Sequence, residues 1–236
     1  MADALRIVSA DGPLVPAEPA AFLVDKPPGM TSFGVVKKVR WALGVKKVGH
    51  AGTLDPMATG LLIVLVGRGA TRQQDRFMGL PKVYTGTVRL GETTASFDAD
   101  TPVEETRDAG AVTDAQIADG VAQLTGEIQQ VPPVYSAIKR GGERLYKKAR
   151  RGETVEIQPR PTTVYRFDVV ERRGPDLDVR VECSKGTYVR SLAHDLGQIV
   201  GAGGHLVALR REAIGPFGVA EAWGLDALAA AARPAA

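Results

Sequence analysis

Gly49-His50-Ala51-Gly52-Thr53-Leu54-Asp55-Pro56-Met57-Ala58-Thr59-Gly60 runs directly into Leu61-Leu62-Ile63-Val64-Leu65-Val66. The second half is an unbroken apolar run rich in branched side chains, the pattern of a buried strand. The first half is small and polar, and Asp55 is the only carboxylate between Asp25 and Asp75. Pro56 removes a backbone donor and biases Asp55 away from the helical region. The acid is therefore expected on an irregular loop at the mouth of a core strand, where scaffolds commonly display catalytic groups. The residues themselves leave two readings open, a turn former or a catalytic acid.

Working outward, Ala21-Phe22-Leu23-Val24 reads as a strand that enters the loop Asp25-Lys26-Pro27-Pro28-Gly29-Met30. Thr31 and Ser32 can cap a helix carrying Val35, Val36, Val39 and Leu43 on one face, with Gly44 as its stop. Beyond the core strand, Lys82–Leu90 reads as a strand and 91–112 as a polar loop. Thr113-Asp114-Ala115-Gln116 fits a capping box ahead of Ile117, Val121 and Leu124, and Gly126 is expected to end that helix. Residues 127–139 look extended, and Gly142–Gly152 reads as a short basic helix. Val155–Ile157, Val164–Val170 and Leu177–Cys183 read as strands. Lys185-Gly186 leads into a helix over Thr187–Val200, and His205–Arg210 and Phe217–Val219 close the pattern as strands.

Helices and strands in this irregular order favour an α+β fold with a mixed, largely antiparallel central sheet flanked by helices. With no repeat and no clear linker, one catalytic domain is expected over residues 21–224. It would follow a loose segment over 1–20 and precede a frayed Ala-rich tail over 225–236.

The totals narrow the class. The chain has 236 residues, 44% of them apolar and 24% charged, ordinary values for a soluble globular protein. No apolar run approaches the ~20 residues of a membrane span, and the N-terminus lacks a secretory layout, so a cytoplasmic protein is expected. A single cysteine, Cys183, excludes an intrachain disulfide. The three histidines, His50, His194 and His205, make no zinc pattern with it. There is no phosphate loop, and Gly201-Ala202-Gly203-Gly204 lacks the context of a dinucleotide site. No metal and no organic cofactor are expected.

Net charge is +3, but the basic residues cluster. Lys37, Lys38, Arg40, Lys46 and Lys47 precede the Asp55 loop. Arg140, Arg144, Lys147, Lys148, Arg150 and Arg151 form a second group, and the pairs Arg172/Arg173 and Arg210/Arg211 are smaller ones. Such clusters are either solvated faces or the footprint of a polyanionic partner.

Residues 49–60 closely resemble the active-site motif of the TruB family of pseudouridine synthases. The likeness extends in order through Asp25–Ser32, Lys82-Val83-Tyr84, Pro133–Ala137, Leu145-Tyr146, Lys185-Gly186-Thr187-Tyr188-Val189-Arg190 and Leu209-Arg210-Arg211, covering roughly residues 20–220. The resemblance implies the pseudouridine synthase fold and an isomerase. That reaction breaks the C1′–N1 bond of an RNA uridine, turns the base and rejoins it through C5.

It further implies that Asp55 is the essential acid, either attacking C1′ or removing a sugar proton, with Arg190 as its partner. Tyr84 would stack on the flipped base and is the candidate acceptor of the C5 proton. Tyr188 would line the pocket, Leu209 would be an apolar wall, and His50 would enter the space left by the flipped nucleotide. Lys26, Lys82 and Lys185 would contact phosphate or pocket. The implied substrate is the T-loop uridine (position 55 in tRNA convention) on the T-arm of tRNA. The Met57-Ala58-Thr59 step resembles the bacterial stand-alone branch, which implies no guide RNA, and a monomer is expected. Many family members continue into a C-terminal RNA-binding domain of the PUA type, which this chain is expected to lack. The alternatives are a synthase acting on another RNA, such as ribosomal RNA, and an RNA-binding tRNA folding helper.

Overall fold

The computed structural model describes residues 5–12, 19–136, 139–140, 143–144, 151, 153 and 157–232. In chain order the first elements are β1 (Arg6–Val8), β2 (Ala20–Lys26), α1 (Ser32–Leu43), β3 (Val48–Ala51), β4 (Thr59–Val66), α2 (Arg68–Thr71), α3 (Gln74–Met78) and β5 (Lys82–Leu90). Then come β6 (Glu92–Thr94), β7 (Val103–Thr106), α4 (Asp114–Gln123), β8 (Gly126–Gln130), β9 (Lys139–Arg140) and β10 (Glu143–Arg144). The last are β11 (Arg160–Arg173), β12 (Asp176–Cys183), α5 (Val189–Ile199), β13 (Gly204–Ile214), β14 (Phe217–Gly218), β15 (Trp223–Gly224) and α6 (Leu225–Ala231).

These elements form two compact units, residues 1–84 with 209–236, and residues 85–208. The expected single domain over 21–224 is thus divided, and each crossing falls inside a strand, β5 or β13. A boundary placed there leaves no Gly/Pro-rich linker to read.

In the first unit β4 is the hub. β2 lies antiparallel along one edge, from Ala20 opposite Val66 to Lys26 opposite Gly60. β3 is antiparallel beside residues 63–66, and β13 is parallel beside Thr59 and Gly60. Alternate side chains of β4 enter two cores. Leu62, Val64 and Val66 meet Val35, Val36 and Val39 of α1 and Leu225 and Leu228 of α6. Leu61, Ile63 and Leu65 meet Leu23, Phe77 and Ile214. Burial on both faces is why the run is uninterrupted by polar residues. Gly60 is required by a close approach: a Cβ there would lie 2.3 Å from the Arg211 carbonyl oxygen, and its φ is +97°.

The second unit is built on the order β5-β12-β11-β8, with β11 antiparallel to both β12 and β8. α4 and α5 cross closely at Gly120, where a Cβ would fall 2.8 Å from Leu196. Taken unit by unit, this is the mixed, largely antiparallel α+β arrangement expected, flanked by helices.

The caps agree with the sequence. Thr31 accepts from the Gly34 N–H, Gly44 is left-handed at φ 66°, and Thr113 with Gln116 makes a full capping box. Several expectations change. Residues 91–112 contain the β6–β7 hairpin, whose second strand is wholly exposed and so shows no apolar alternation. Gly126 opens β8 at φ 97° instead of ending α4, which stops at Leu124. The N-terminal segment carries β1, parallel to β2, with Leu5 and Val8 buried. The Ala-rich tail forms α6, because Leu225 and Leu228, three residues apart, are buried on one face. The expected helix over 142–152 gives way at its start to β10, whose Glu143 and Arg144 pair antiparallel with Arg140 and Lys139 of β9. Residues 145–150 with the Leu145-Tyr146 match and the cations Lys147, Lys148 and Arg150, and residues 155–156 of the expected strand, lie outside the described residues.

Candidate active site

The loop that carries Asp55 is pinned on every side. Ser32, the first residue of α1, accepts from the Leu54 N–H at 2.8 Å and donates to the Leu54 carbonyl at 3.1 Å through one buried hydroxyl. The Pro56 carbonyl accepts from the Lys26 ammonium at 3.1 Å and from the Gly29 N–H at 2.9 Å. The Gly52 carbonyl accepts from Arg211 at 3.1 Å, and the Ala58 N–H closes a turn on the Asp55 carbonyl at 3.1 Å. Leu54 and Ala58 are buried while Asp55 between them is only half-buried. The backbone that presents this carboxylate is thus held by the protein itself, a condition for preorganised chemistry.

Six expected site residues lie in this first unit. Besides Asp55 they are Lys26, His50, Lys82, Tyr84 and Leu209. His50 sits on β3 opposite Val64. Burial, and secondly the charge of Arg211, lowers its pKa, so its imidazole is neutral at pH 7. Tyr84 is buried on β5, and Leu209 is half-buried on β13.

Lys26 and Lys82, expected to contact phosphate or pocket, are both buried. Lys26 is fully buried, and its three N–H donors meet the carbonyls of Pro27 at 2.9 Å, Met30 at 2.6 Å and Pro56 at 3.1 Å. Lys82 is buried and donates to the carbonyls of Met78 and Leu80, both at 2.6 Å. Each ammonium fastens loops.

The remaining three lie in the second unit. Arg190 is 3% exposed. It donates to the Ser96 carbonyl at 2.9 Å and the Tyr135 carbonyl at 3.0 Å, and it lies 3.4 Å from the Asp98 carboxylate, itself 1% exposed. Phe97, between those two anchors, holds φ 62°, uncommon for a residue with a Cβ. Its ring stacks on His194, one helical turn after Arg190, at 3.8 Å and 14°. Tyr188 caps α5 in extended backbone and exchanges two hydrogen bonds with the Gln130 side chain, at 2.8 and 3.1 Å. Lys185 is exposed.

Sequence reasoning missed Ser32 as a loop anchor, and it missed Asp98 and Gln130. It read Arg210/Arg211 and Arg172/Arg173 as possible RNA contacts. Arg210 instead grips Asp25 through both nitrogens at 3.1 and 2.8 Å, and Arg211 is 1% exposed with its Nε on the Leu61 carbonyl at 2.7 Å. Arg172 meets the Val112 carbonyl and Asp114, and Arg173 pairs with Asp178. Asp25, opposite in charge to Arg210 and beside a recognised motif, was the one available signal. Among the described residues no cluster of His, Cys, Asp or Glu could hold a metal ion, and no helix is long and apolar enough to cross a membrane.

The family model for the N-terminal domain of TruB family pseudouridylate synthases matches residues 40–189, more than half the chain. The model for the tRNA pseudouridylate synthase B C-terminal domain matches residues 190–235. Proteins named tRNA pseudouridine synthase B from Nocardia farcinica and Paenarthrobacter aurescens are 56% and 53% identical. The matches cover 88% of this chain and 69% and 68% of theirs. One from Thermobifida fusca is 50% identical, covering 88% of this chain and 73% of its own. Among solved structures, a chain of a Cbf5-Nop10-Gar1 complex is similar with a TM-score of 0.65 and 32% identity over 84% of this chain. A chain of an archaeal box H/ACA sRNP Nop10-Cbf5 complex gives 0.65 and 27% over 89%. The present chain spans about half of each, 49% and 52%. With the pinned Asp55 loop and the ordered motifs around it, these matches lead to one conclusion: the chain belongs to the TruB family of pseudouridine synthases.

Proposed function

We propose that this protein converts the T-loop uridine of tRNA (position 55 in tRNA convention) to pseudouridine. The observation that carries the reading is the loop at Asp55, where hydrogen bonds at Gly52, Leu54, Pro56 and Ala58 fix the backbone around one carboxylate. Support also comes from the relatives named tRNA pseudouridine synthase B.

The isomerisation is redox-neutral, so side chains suffice. The target uridine leaves its stack, as chemistry on a base within folded RNA requires. The ionised Asp55 acts at the sugar, on C1′ or on a sugar proton, as the C1′–N1 bond breaks. Tyr84 stacks on the detached uracil while it turns, and its phenol is the candidate acceptor of the C5 proton. Leu209 supplies an apolar wall. The neutral His50 occupies the space vacated by the base, and an uncharged imidazole suits stacking there. Arg190, held by Asp98, keeps the role that the family's Lys-Gly-Thr-Tyr-Val-Arg segment gives it, and Tyr188 lines the pocket. Neither cofactor nor guide RNA is part of this proposal, and the site of action is the cytoplasm.

A T-arm transcript carrying C5-tritiated uridine tests it. Wild type releases tritium, whereas Asp55→Asn binds the RNA and releases none. Equal release by both proteins would sink the assignment. Mapping pseudouridine in tRNA and ribosomal RNA from a deletion strain identifies the substrate. A lost ribosomal site with an intact T-loop would replace tRNA by rRNA, and no lost site would favour a folding helper.

A further inference from the structure

We propose that the exposed face of α1 is an RNA-binding track, on which Phe33 and Trp41 stack unpaired bases of the substrate and Lys37 meets its phosphates. The inference rests on the RNA-directed function proposed above and extends it beyond the flipped nucleotide.

α1 buries Val35, Val36 and Val39 and turns Phe33, Lys37 and Trp41 outward. Those three are spaced at i, i+4 and i+8, which places them in one stripe about 12 Å long. Phe33 is 55% exposed and Trp41 65% exposed. A single exposed aromatic is unremarkable. Two in one line, with a cation between them, form a surface with a definite chemistry. The Lys37 ammonium lies 5.1 Å from the centre of the Phe33 ring, so the charge is held over the stripe.

Along the sequence on either side of the stripe the charge has one sign. No carboxylate occurs from Lys26 to Leu54, while Lys37, Lys38, Arg40, Lys46 and Lys47 all fall there. Lys38 is engaged by Asp226 of α6, and Lys46 and Lys47 are exposed just past the Gly44 cap. A polyanion is the complementary partner, and its affinity would come from phosphate contacts.

Position links the stripe to the catalytic loop. Phe33 follows Ser32, whose hydroxyl bonds both backbone groups of Leu54, the neighbour of Asp55. The track therefore begins beside the catalytic loop and leads away along the helix towards Lys46 and Lys47. A partner that fits must offer flat apolar faces for the rings and anions between them. Looped RNA offers both, whereas paired RNA hides its base faces and presents phosphate and sugar.

The test measures dissociation constants for a labelled T-arm hairpin and single-turnover isomerisation rates at saturating enzyme. Phe33→Ala and Trp41→Ala are expected to weaken binding by about 5- to 100-fold each, the range for losing one base–aromatic stack. Trp41→Phe should keep most of the affinity. Lys37→Ala should lower the salt dependence of binding by about one phosphate contact. The saturating rate should be unchanged in all, since none of these side chains touches the reacting atoms.

Wild-type affinity in the Phe33→Ala/Trp41→Ala double variant would overturn the track while leaving the enzyme assignment intact. Loss of self-association or of vesicle binding in the double variant, with RNA affinity unchanged, would likewise overturn it and identify another occupant. A wild-type protein that isomerises no RNA would instead sink the functional reading, whatever these variants do.

Discussion

Lys26 is fully buried, and its amino group donates to carbonyl oxygens of two loops, those of Pro27, Met30 and Pro56. Replacing it by Met keeps the stem's length but takes a donor from all three carbonyls, of which Pro56 retains the Gly29 N–H. Unsatisfied buried groups cost about 1–3 kcal/mol, which for a chain of this size lowers the melting temperature by several degrees. Lys26→Met is therefore expected to reduce the melting temperature and the single-turnover rate, while RNA affinity and its salt dependence stay near wild type. A phosphate-contacting lysine would give the reverse pattern, with stability kept and salt slope reduced. The contrast shows what a sequence can carry at this scale. Asp55 was legible because twelve consecutive positions repeat a motif. Lys26, Arg211 and Ser32 were legible only as a cation, a cation and a cap, since a basic head group looks the same whether it meets a phosphate or a carbonyl. Their distant partners lie 22 to 159 residues away, brought within reach by the tertiary fold.

Among the elements, α5 concentrates titratable groups. Arg190, His194 and Asp195 fall within two turns. Burial pushes the Asp195 carboxyl up to about 6 from its ordinary 3.8. The folded state thus holds a proton between those values that the unfolded chain releases. The resulting stabilisation is present at low pH and is lost as pH rises through about 6. Asp195→Asn should accordingly melt higher than wild type at pH 8, with the difference vanishing near pH 4. Melting curves of both proteins across that range check it, and a constant difference would refute it. Burial lowers the pKa of His194 and of His50, so their neutral forms lose stability below about pH 6.5. That opposite trend is shared by both proteins and cancels in the comparison. Element boundaries were legible wherever the signal is local, as at Thr31, Gly44 and the Thr113 box. They were lost where an element has no buried face, as in β7, or where composition masked a short buried stripe, as in α6.

At the scale of the molecule, the division into two units was invisible in the sequence because the chain changes unit within β5 and within β13. This has a spectroscopic consequence. Both tryptophans, Trp41 and Trp223, belong to the first unit, so tryptophan emission, excited where tyrosine does not absorb, reports on it alone. Far-ultraviolet circular dichroism reports on both. Because unfolding either unit frees one half of two strands, the two probes are expected to give coincident urea transitions. Separated midpoints would show that the units unfold independently.

The interrupted first unit also orders events during synthesis. Residues 85–208 are contiguous and can close into their unit as soon as they emerge, in the manner of domains that fold one after another on the ribosome. The first unit must wait. Its β4 obtains its parallel neighbour, and the Gly52 carbonyl its Arg211 donor, only when residues 209–236 arrive. The segment bearing Asp55 is translated well before the anchor of its Gly52 carbonyl, which is supplied from 159 residues downstream. Translation arrested before Arg211 would therefore leave an RNA-modifying loop without its clamp, so a full set of fastenings accompanies only a chain read through to that arginine.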